Sequence, residues 1–428
     1  MTATDNLDLS NDLYAAPTQK APLVGVLSAD GLPPSEKLPR LFERPAIPRG
    51  SGTFTLKNRA AVSPMCMYSS KDGFPTPFHL VHYGQFALHG AGTVTVEASA
   101  VAPEGRISSW DLGIYKDEHV PAHASVVSTM KAISADTYIG LQIAHAGRKA
   151  STWPPYDVTS HSTPYIPEAN GGWSGLVAPS ATPYGEGHLE PKALSVAEIK
   201  AVEDQFVAAA ARAFSAGYDF VEVHSAHGYL LSEFSSPLVN TRTDEYGGPL
   251  EHRMRLLLDI VRRVRAQFPD KGLWVRINGT DAVEYTGKTS WTIDDTKRAA
   301  VLLNDAGVDV LDVSSGGTVA CNKFDYRPGY QDVLSAAVKS LRLNRMLVSA
   351  VGVLQGGTED APDEVGTLAE RTLQENNADL ISIARGFLKY PNWVQLAVWN
   401  LTKTHPVYAL QYGYAVKALD YYKYKRDT

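Results

Sequence analysis

The chain has 428 residues, with 40 Lys+Arg against 46 Asp+Glu for a formal charge of −6, and is 44% hydrophobic and 20% charged. That balance excludes global disorder and gives no basic footprint for nucleic acid or anionic lipid, and no apolar run approaches the roughly 20 residues that span a bilayer. With only Cys66 and Cys321, a disulfide framework, a multi-cysteine zinc site and a cubane iron–sulfur centre are excluded, and a reducing compartment, the cytoplasm, is the expected location.

The opening MTATDNLDLSND lacks a basic stretch followed by an apolar one, so no secretory signal is expected. Residues 1–38, rich in Pro, Asp, Ser and Ala, read as an extended surface arm. Regular alternation begins after Lys57–Asn58–Arg59. Eight short runs rich in β-branched residues follow: Ala60–Ser63, Thr93–Ala98, Tyr138–Ala144, Asp219–His224, Leu273–Ile277, Val308–Val313, Met346–Val351 and Asp379–Ala384. Between them lie stretches with helical spacing, such as Val196–Ala216, Glu251–Phe268 and Ile293–Ala306. Near-continuous apolar runs mean strands buried on both faces, and eight βα units predict a closed (β/α)8 barrel. A doubly wound open sheet is the other arrangement of such units, but no GxGxxG follows the first run. The expected organisation is an arm (1–38), a barrel (39–400) and a tail (401–428).

A barrel carries its function at the C-terminal ends of its strands. After the first run come Ser63, Pro64, Met65, Cys66, Met67 and Tyr68; after the second, Ala98 and Ser99; after the third, Gln142, His145, Arg148 and Lys149. The fourth run ends in His224–Ser225–Ala226–His227–Gly228–Tyr229, the fifth at Arg276, the sixth in Ser314–Ser315–Gly316–Gly317, the seventh at Gly352 and the eighth at Arg385. Each has a purely structural reading. The HxxH pair could cap a helix, Arg276 could pair with a buried carboxylate, the glycines could serve turns, and Cys66 could be a small core hydrophobe. Their convergence on one rim is what a folding requirement alone does not ask for. Arg385 and the glycines suit a phosphate, paired imidazoles suit an oxygen that gains negative charge, and Tyr229 is a phenol placed to give a proton.

The motifs SPMCMYSS (63–70), EASAV (97–101), LQIAHAGRKA (141–150), EVHSAHGYLLSEFSSPLVNTRTDEYGG (222–248), VRI (275–277) and IARG (383–386) closely resemble the Old Yellow Enzyme family, in its cysteine-containing bacterial branch. The resemblance covers about residues 40–400. It implies a barrel with non-covalent FMN, reduced by NADPH or NADH, that passes hydride from flavin N5 to Cβ of an α,β-unsaturated carbonyl compound or quinone. It further implies that Ser63, Pro64, Met65 and Cys66 line the isoalloxazine, with Cys66 tuning its potential, and that Ala98 approaches the ring. Gln142 would bind the pyrimidine edge, Arg276 would face N1–O2, and Gly352, Ala384 and Arg385 would hold the phosphate end. His224 and His227 would grip the substrate oxygen, Tyr229 would protonate Cα, and Tyr68 would lean over the substrate. No metal is implied.

Three features depart from the family pattern. The arm is additional. The segment 151–195 is long, carries Trp153, Tyr156, Trp173 and Tyr184, and is expected to shape substrate choice. In the resembling branch, an arginine near the C-terminus reaches a neighbouring subunit's site, which raises a homodimer; here the stretch reads Gln411–Tyr412–Gly413–Tyr414, without that arginine, in a tyrosine-rich tail. Two other readings use the same rim: a redox-neutral isomerase on the flavin site, and a metal-dependent barrel lyase with the histidines as ligands.

Overall fold

The protein is seen in a computed structural model that describes residues 24–27, 32, 37–357, 364–412 and 415. An antiparallel hairpin of β1 (Ala46–Arg49) and β2 (Gly52–Thr55) precedes β3 (Ala60–Val62), β4 (Thr93–Ala100) and β5 (Tyr138–Ala144). Two short paired strands, β6 (Val177–Ala178) and β7 (Lys192–Ala193), belong to the long excursion after β5. Then come β8 (Phe220–Ser225), β9 (Gly272–Asn278), β10 (Val310–Ser314), β11 (Leu347–Ala350) and β12 (Leu380–Ile383). Strands β3, β4, β5 and β8 to β12 close one parallel barrel, β12 pairing with β3. Every one of the eight expected runs is a barrel strand.

The helices are α1 (Pro77–Leu88), α2 (Val120–Ile133), α3 (Val196–Ser215), α4 (Leu230–Ser235), α5 (Leu250–Arg253), α6 (Arg255–Gln267), α7 (Ile293–Asp305), α8 (Asp332–Lys339), α9 (Thr367–Gln374), α10 (Arg385–Lys389) and α11 (Trp393–Thr402). Helix α3 starts where a capping box allows it: the Glu198 amide donates to Ser195 Oγ at 3.3 Å, and the Ser195 amide donates back to Glu198 Oε2 at 2.9 Å. The single helix expected over Glu251–Phe268 is instead divided at Met254, where ψ of −9° loosens the turn. No helix among the described residues is long and apolar enough to cross a membrane.

The barrel interior is layered by polarity. At the N-terminal end, Tyr138, Phe220, Trp274, Val310 and Leu380 form an apolar floor, sealed from below by Ile47 and Leu56 of the hairpin region. Its rings stack, with Tyr138–Phe220 centroids 5.0 Å apart and Phe220–Trp274 4.2 Å apart. Gly140 is required here, because a Cβ would come within 2.1 Å of the Phe220 ring. The next inward-facing positions are polar: Gln142, Glu222, Arg276 and Asp312 are all buried. The apolar floor therefore leaves the opposite mouth as the polar, open end.

The described part of the arm is docked rather than lying free on the surface. Gly25 packs on Gly90, and its carbonyl accepts from Asn58 Nδ2 at 2.9 Å. The rest of residues 1–38 lies outside the described residues. Because Phe220 is fully buried in the floor, Phe220→Ala should destabilise the fold by about 3–5 kcal/mol in guanidinium unfolding. A loss below about 1 kcal/mol would show that the floor is not a packed layer.

Candidate active site

The mouth is built from loops that follow the strands, and each is pinned from behind. The Ser63–Ser70 loop is held by buried Glu97, whose Oε2 accepts from the Met67 amide at 2.8 Å while Tyr83 donates to Oε1 at 3.0 Å. His79 Nδ1 accepts from the Thr76 amide at 3.0 Å, so its Nε2 carries the proton that faces Glu97 Oε1 at 3.4 Å. Pro64, Met65 and Tyr68 are half-buried in this loop. Cys66 packs with Tyr229 and Trp173 around Ile107, Ala146, Ala150 and Leu176. Burial, with Asp111 and Glu97 nearby, raises the Cys66 thiol well above its ordinary value, while the Ala98 amide facing it acts in the opposite sense. Cys66 is therefore a neutral thiol near pH 7.

Arg276 is 5% exposed and has two partners: Nη1 donates to Ser63 Oγ at 2.9 Å, and Nε lies 3.5 Å from Asp312 Oδ2. Its pairing with a carboxylate is thus real, without accounting for the rest of the rim. Gln142 Nε2 donates to Glu222 Oε1 at 2.7 Å, which leaves the amide oxygen as its acceptor. Burial first, then the Asp312 charge, pushes Glu222 up to about 8 against the pull of Arg276.

His224 sits on β8, aligned with Arg276 on β9. His227, three residues on, adopts φ +60°. The two rings lie 5.2 Å apart, and His224 is 5.3 Å from the Tyr229 ring. Asn278 Oδ1 accepts the His227 amide at 3.0 Å, and His227 Nε2 meets Ser314 Oγ at 2.8 Å. His224 Nδ1 is buried without a protein partner. Burial, then Arg276, lowers both imidazoles well below their ordinary value. Both are neutral at pH 7, each with one N–H to donate. Burial, then Cys66, raises both the Tyr229 and Tyr68 phenols, so each keeps its proton.

On the other side of His227 opens a cavity of about 170 Å³ bordered by Arg276, Ser314, Tyr330, Gly352, Ala384 and Arg385. Gly352 has φ +123°, and a Cβ there would strike Gln331 at 2.9 Å. Strands β9 and β10 and the segment after β10 thus contribute more than the sequence suggested. Asn278, Asp312, Tyr330 and Gln331 were not singled out, nor were Glu222 and Glu97. Glu222 and Asp312 each stand two residues before a rim residue, and this period-two spacing inside an apolar run was the available signal.

The 151–195 segment borders the mouth. Tyr156 meets Tyr68 edge-on at 5.9 Å, Tyr184 stands 4.7 Å from Lys149 Nζ, and Trp173 joins the Cys66 cluster. Tyr412 stacks on His89, at the C-terminal end of α1, with centroids 6.2 Å apart; Gly413 and Tyr414 lie outside the described residues. Among the described residues no three His, Cys, Asp or Glu side chains are grouped to hold a metal ion.

A sealed floor, a polar mouth with a buried guanidinium and a glycine- and arginine-lined cavity define a cofactor-binding (β/α)8 barrel. The family described as NADH:flavin oxidoreductase / NADH oxidase matches residues 47–403. NADPH dehydrogenase from Bacillus velezensis is 40% identical over 82% of this chain and 93% of its own length, and that from Bacillus subtilis is 41% identical over the same shares. Among solved structures, the old yellow enzyme homologue from Zymomonas mobilis superposes with a TM-score of 0.63 at 26% identity, over 86% of this chain and 94% of that one. A 2-naphthoyl-CoA reductase has a TM-score of 0.69 at 21% identity and shares the fold; the match spans 82% of this chain and 51% of that reductase. The chain belongs to this NADH:flavin oxidoreductase family, the Old Yellow Enzyme family, and is an NAD(P)H-dependent flavin oxidoreductase.

The neutrality of the two imidazoles has a measurable consequence. Nitrogen-15 spectra of histidine-labelled protein, assigned with His224→Ala and His227→Ala, should show both rings neutral down to pH 6; an imidazolium forming near 6.5 would contradict the burial described. Unfolded histidines protonate near 6.5 and these do not, so the unfolded state binds the extra protons and stability should fall as pH drops below about 6.5.

Proposed function

We propose that this enzyme is an FMN-dependent ene-reductase that uses NADPH or NADH to reduce the activated C=C bond of α,β-unsaturated carbonyl compounds and quinones. The observation that carries the reading is the pair of neutral imidazoles at the mouth, 5.2 Å apart, with the Tyr229 ring 5.3 Å from His224. Neutral donors stabilise charge as it develops on an oxygen without binding a pre-existing anion strongly.

The residues fit FMN. The cavity beside Arg385 and Gly352 accepts a phosphate end: an arginine offers fork-like hydrogen bonds, and a bare backbone allows close approach. Arg276 would face the edge of the ring where reduction places negative charge, and Gln142 would present its free amide oxygen to a ring N–H. Ser63, Pro64, Met65, Cys66 and Ala98 would line the ring, and Ala384 would flank the phosphate with Arg385. When bound, FMN would supply the hydride-transfer chemistry that links the nicotinamide to the alkene.

The chain's own groups do the rest. His224 and His227 bind the carbonyl oxygen and draw density from the alkene. Tyr229 gives its proton to Cα. Tyr68 covers the substrate, and Tyr156 and Trp173 shape the acceptor side of the site.

Replacing His224 and His227 together by alanine should slow the oxidative half-reaction with cyclohexenone by about 100-fold or more while leaving flavin content and reduction by NADPH within about threefold. Loss of the flavin itself would show that the histidines bind cofactor rather than substrate oxygen.

A further inference from the structure

Lys149 is a charged group at the mouth that the reading above leaves without a task. It ends the turn Gly147–Lys149 after β5, and its ammonium donates to the carbonyl of His227 at 2.8 Å and of Gly317 at 3.2 Å. It also lies 4.9 Å from the centre of the Tyr229 ring and 4.7 Å from that of Tyr184. The carboxyl beside it, Glu233 of α4, accepts instead from the Arg148 amide at 3.0 Å.

Two consequences follow from this placement. The first is conformational. His227 holds φ +60°, a conformation costly for a residue with a side chain, and the next residue crosses the loop after β10 so closely that a Cβ on Gly228 would lie 2.0 Å from the Gly317 carbonyl oxygen. One ammonium bonded to both carbonyls holds that crossing together. The second is electrostatic. Burial, Cys66, Asp111 and Tyr184 all raise the Tyr229 phenol, which makes it a reluctant donor; a cation over its ring favours the phenolate left after transfer.

We propose that Lys149 is a positioning residue that fixes the His227–Gly317 crossing and whose charge lets Tyr229 hand its proton to the substrate. The proposal rests on reading Tyr229 as the donor. In the step it assists, hydride has reached Cβ and the substrate is an enolate. The Tyr229 O–H bond breaks, the enolate electron pair forms the new C–H bond at Cα, and the phenolate beside Lys149 regains a proton from water.

The charge on Lys149 is lost within an accessible range: burial of the ammonium lowers it to about 8, with Glu233 raising it and Arg148 lowering it further. The groups around it are Arg148 on its own turn, Glu233 from α4, His224, His227 and Tyr229 from β8 and its loop, and Tyr184 from the 151–195 segment. Glu233 and Glu222 are also displaced to about 8, so the assignment needs a variant whose charge cannot be lost.

The test is single-turnover formation of saturated ketone from cyclohexenone, by rapid quench of FMN-loaded, NADPH-reduced protein between pH 6 and 10. Wild type should lose about tenfold across a limb near pH 8. Lys149→Arg should keep its rate through that range. Lys149→Met should be slow and flat from pH 6 upward, and Tyr229→Phe with Lys149 intact should show no limb near pH 8. A limb near pH 8 that persists in Lys149→Arg belongs to a carboxyl and overturns the proposal, as does a limb near pH 8 that persists undiminished in Tyr229→Phe. If Lys149→Met does not fold, the Lys149→Arg and Tyr229→Phe profiles still decide. A wild-type rate in Tyr229→Phe would instead refute the donor reading itself, a separate outcome from a slowed Tyr229→Phe with an inert Lys149.

Discussion

A guanidinium enclosed within a barrel is the constraint from which the rest of the site follows. Arg276 is 5% exposed, and a buried cation is tolerable only with compensation from its surroundings. Its neighbours supply it: Asp312 Oδ2 from β10 lies 3.5 Å from Nε, and Ser63 Oγ accepts from Nη1 at 2.9 Å. The same charge acts on the adjacent strand. Burial first, with Arg276 adding to it, keeps His224 and His227 neutral, and neutral imidazoles are suited to a carbonyl oxygen rather than to a bound anion.

Position in the barrel decides which chemistry each layer can carry. The floor of Tyr138, Phe220 and Trp274, closed by the hairpin, removes one end from water. Polar residues one layer up can then be held dry without a second opening, where electrostatic interactions are stronger than in bulk water. The loops above need separate anchoring. Glu97 fixes the Cys66 loop, Asn278 fixes the His227 amide, and Arg148 Nη2 donates to the Thr318 carbonyl at 2.7 Å. These are the residues that make a set of loop ends into one site.

The barrel was legible because strands buried on both faces leave continuous apolar runs, and all eight expected runs are strands. The rim was legible for the same reason, since the residue that ends a run marks the mouth. What escaped the sequence was three-dimensional. Asn278 was missed because β9 runs one residue beyond its last apolar position, and Glu222 and Asp312 were absorbed into the runs that contain them. The hairpin over Ala46–Thr55 gave no sign of its task, because sealing the floor is a property of the closed barrel. The close crossing of Gly228 and Gly317 joins residues almost ninety positions apart, and no local pattern announces it.

We propose that electrons reach a conjugated alkene through a flavin held at this mouth. The direct measurement is an anaerobic titration of FMN-replete protein with NADPH, followed by stepwise addition of enones and quinones. Bleaching of the flavin band by NADPH, and its return with one equivalent of saturated product per flavin, is the predicted result. Protein that takes up no FMN, or whose reduced flavin is reoxidised by oxygen but by none of the acceptors, would contradict it.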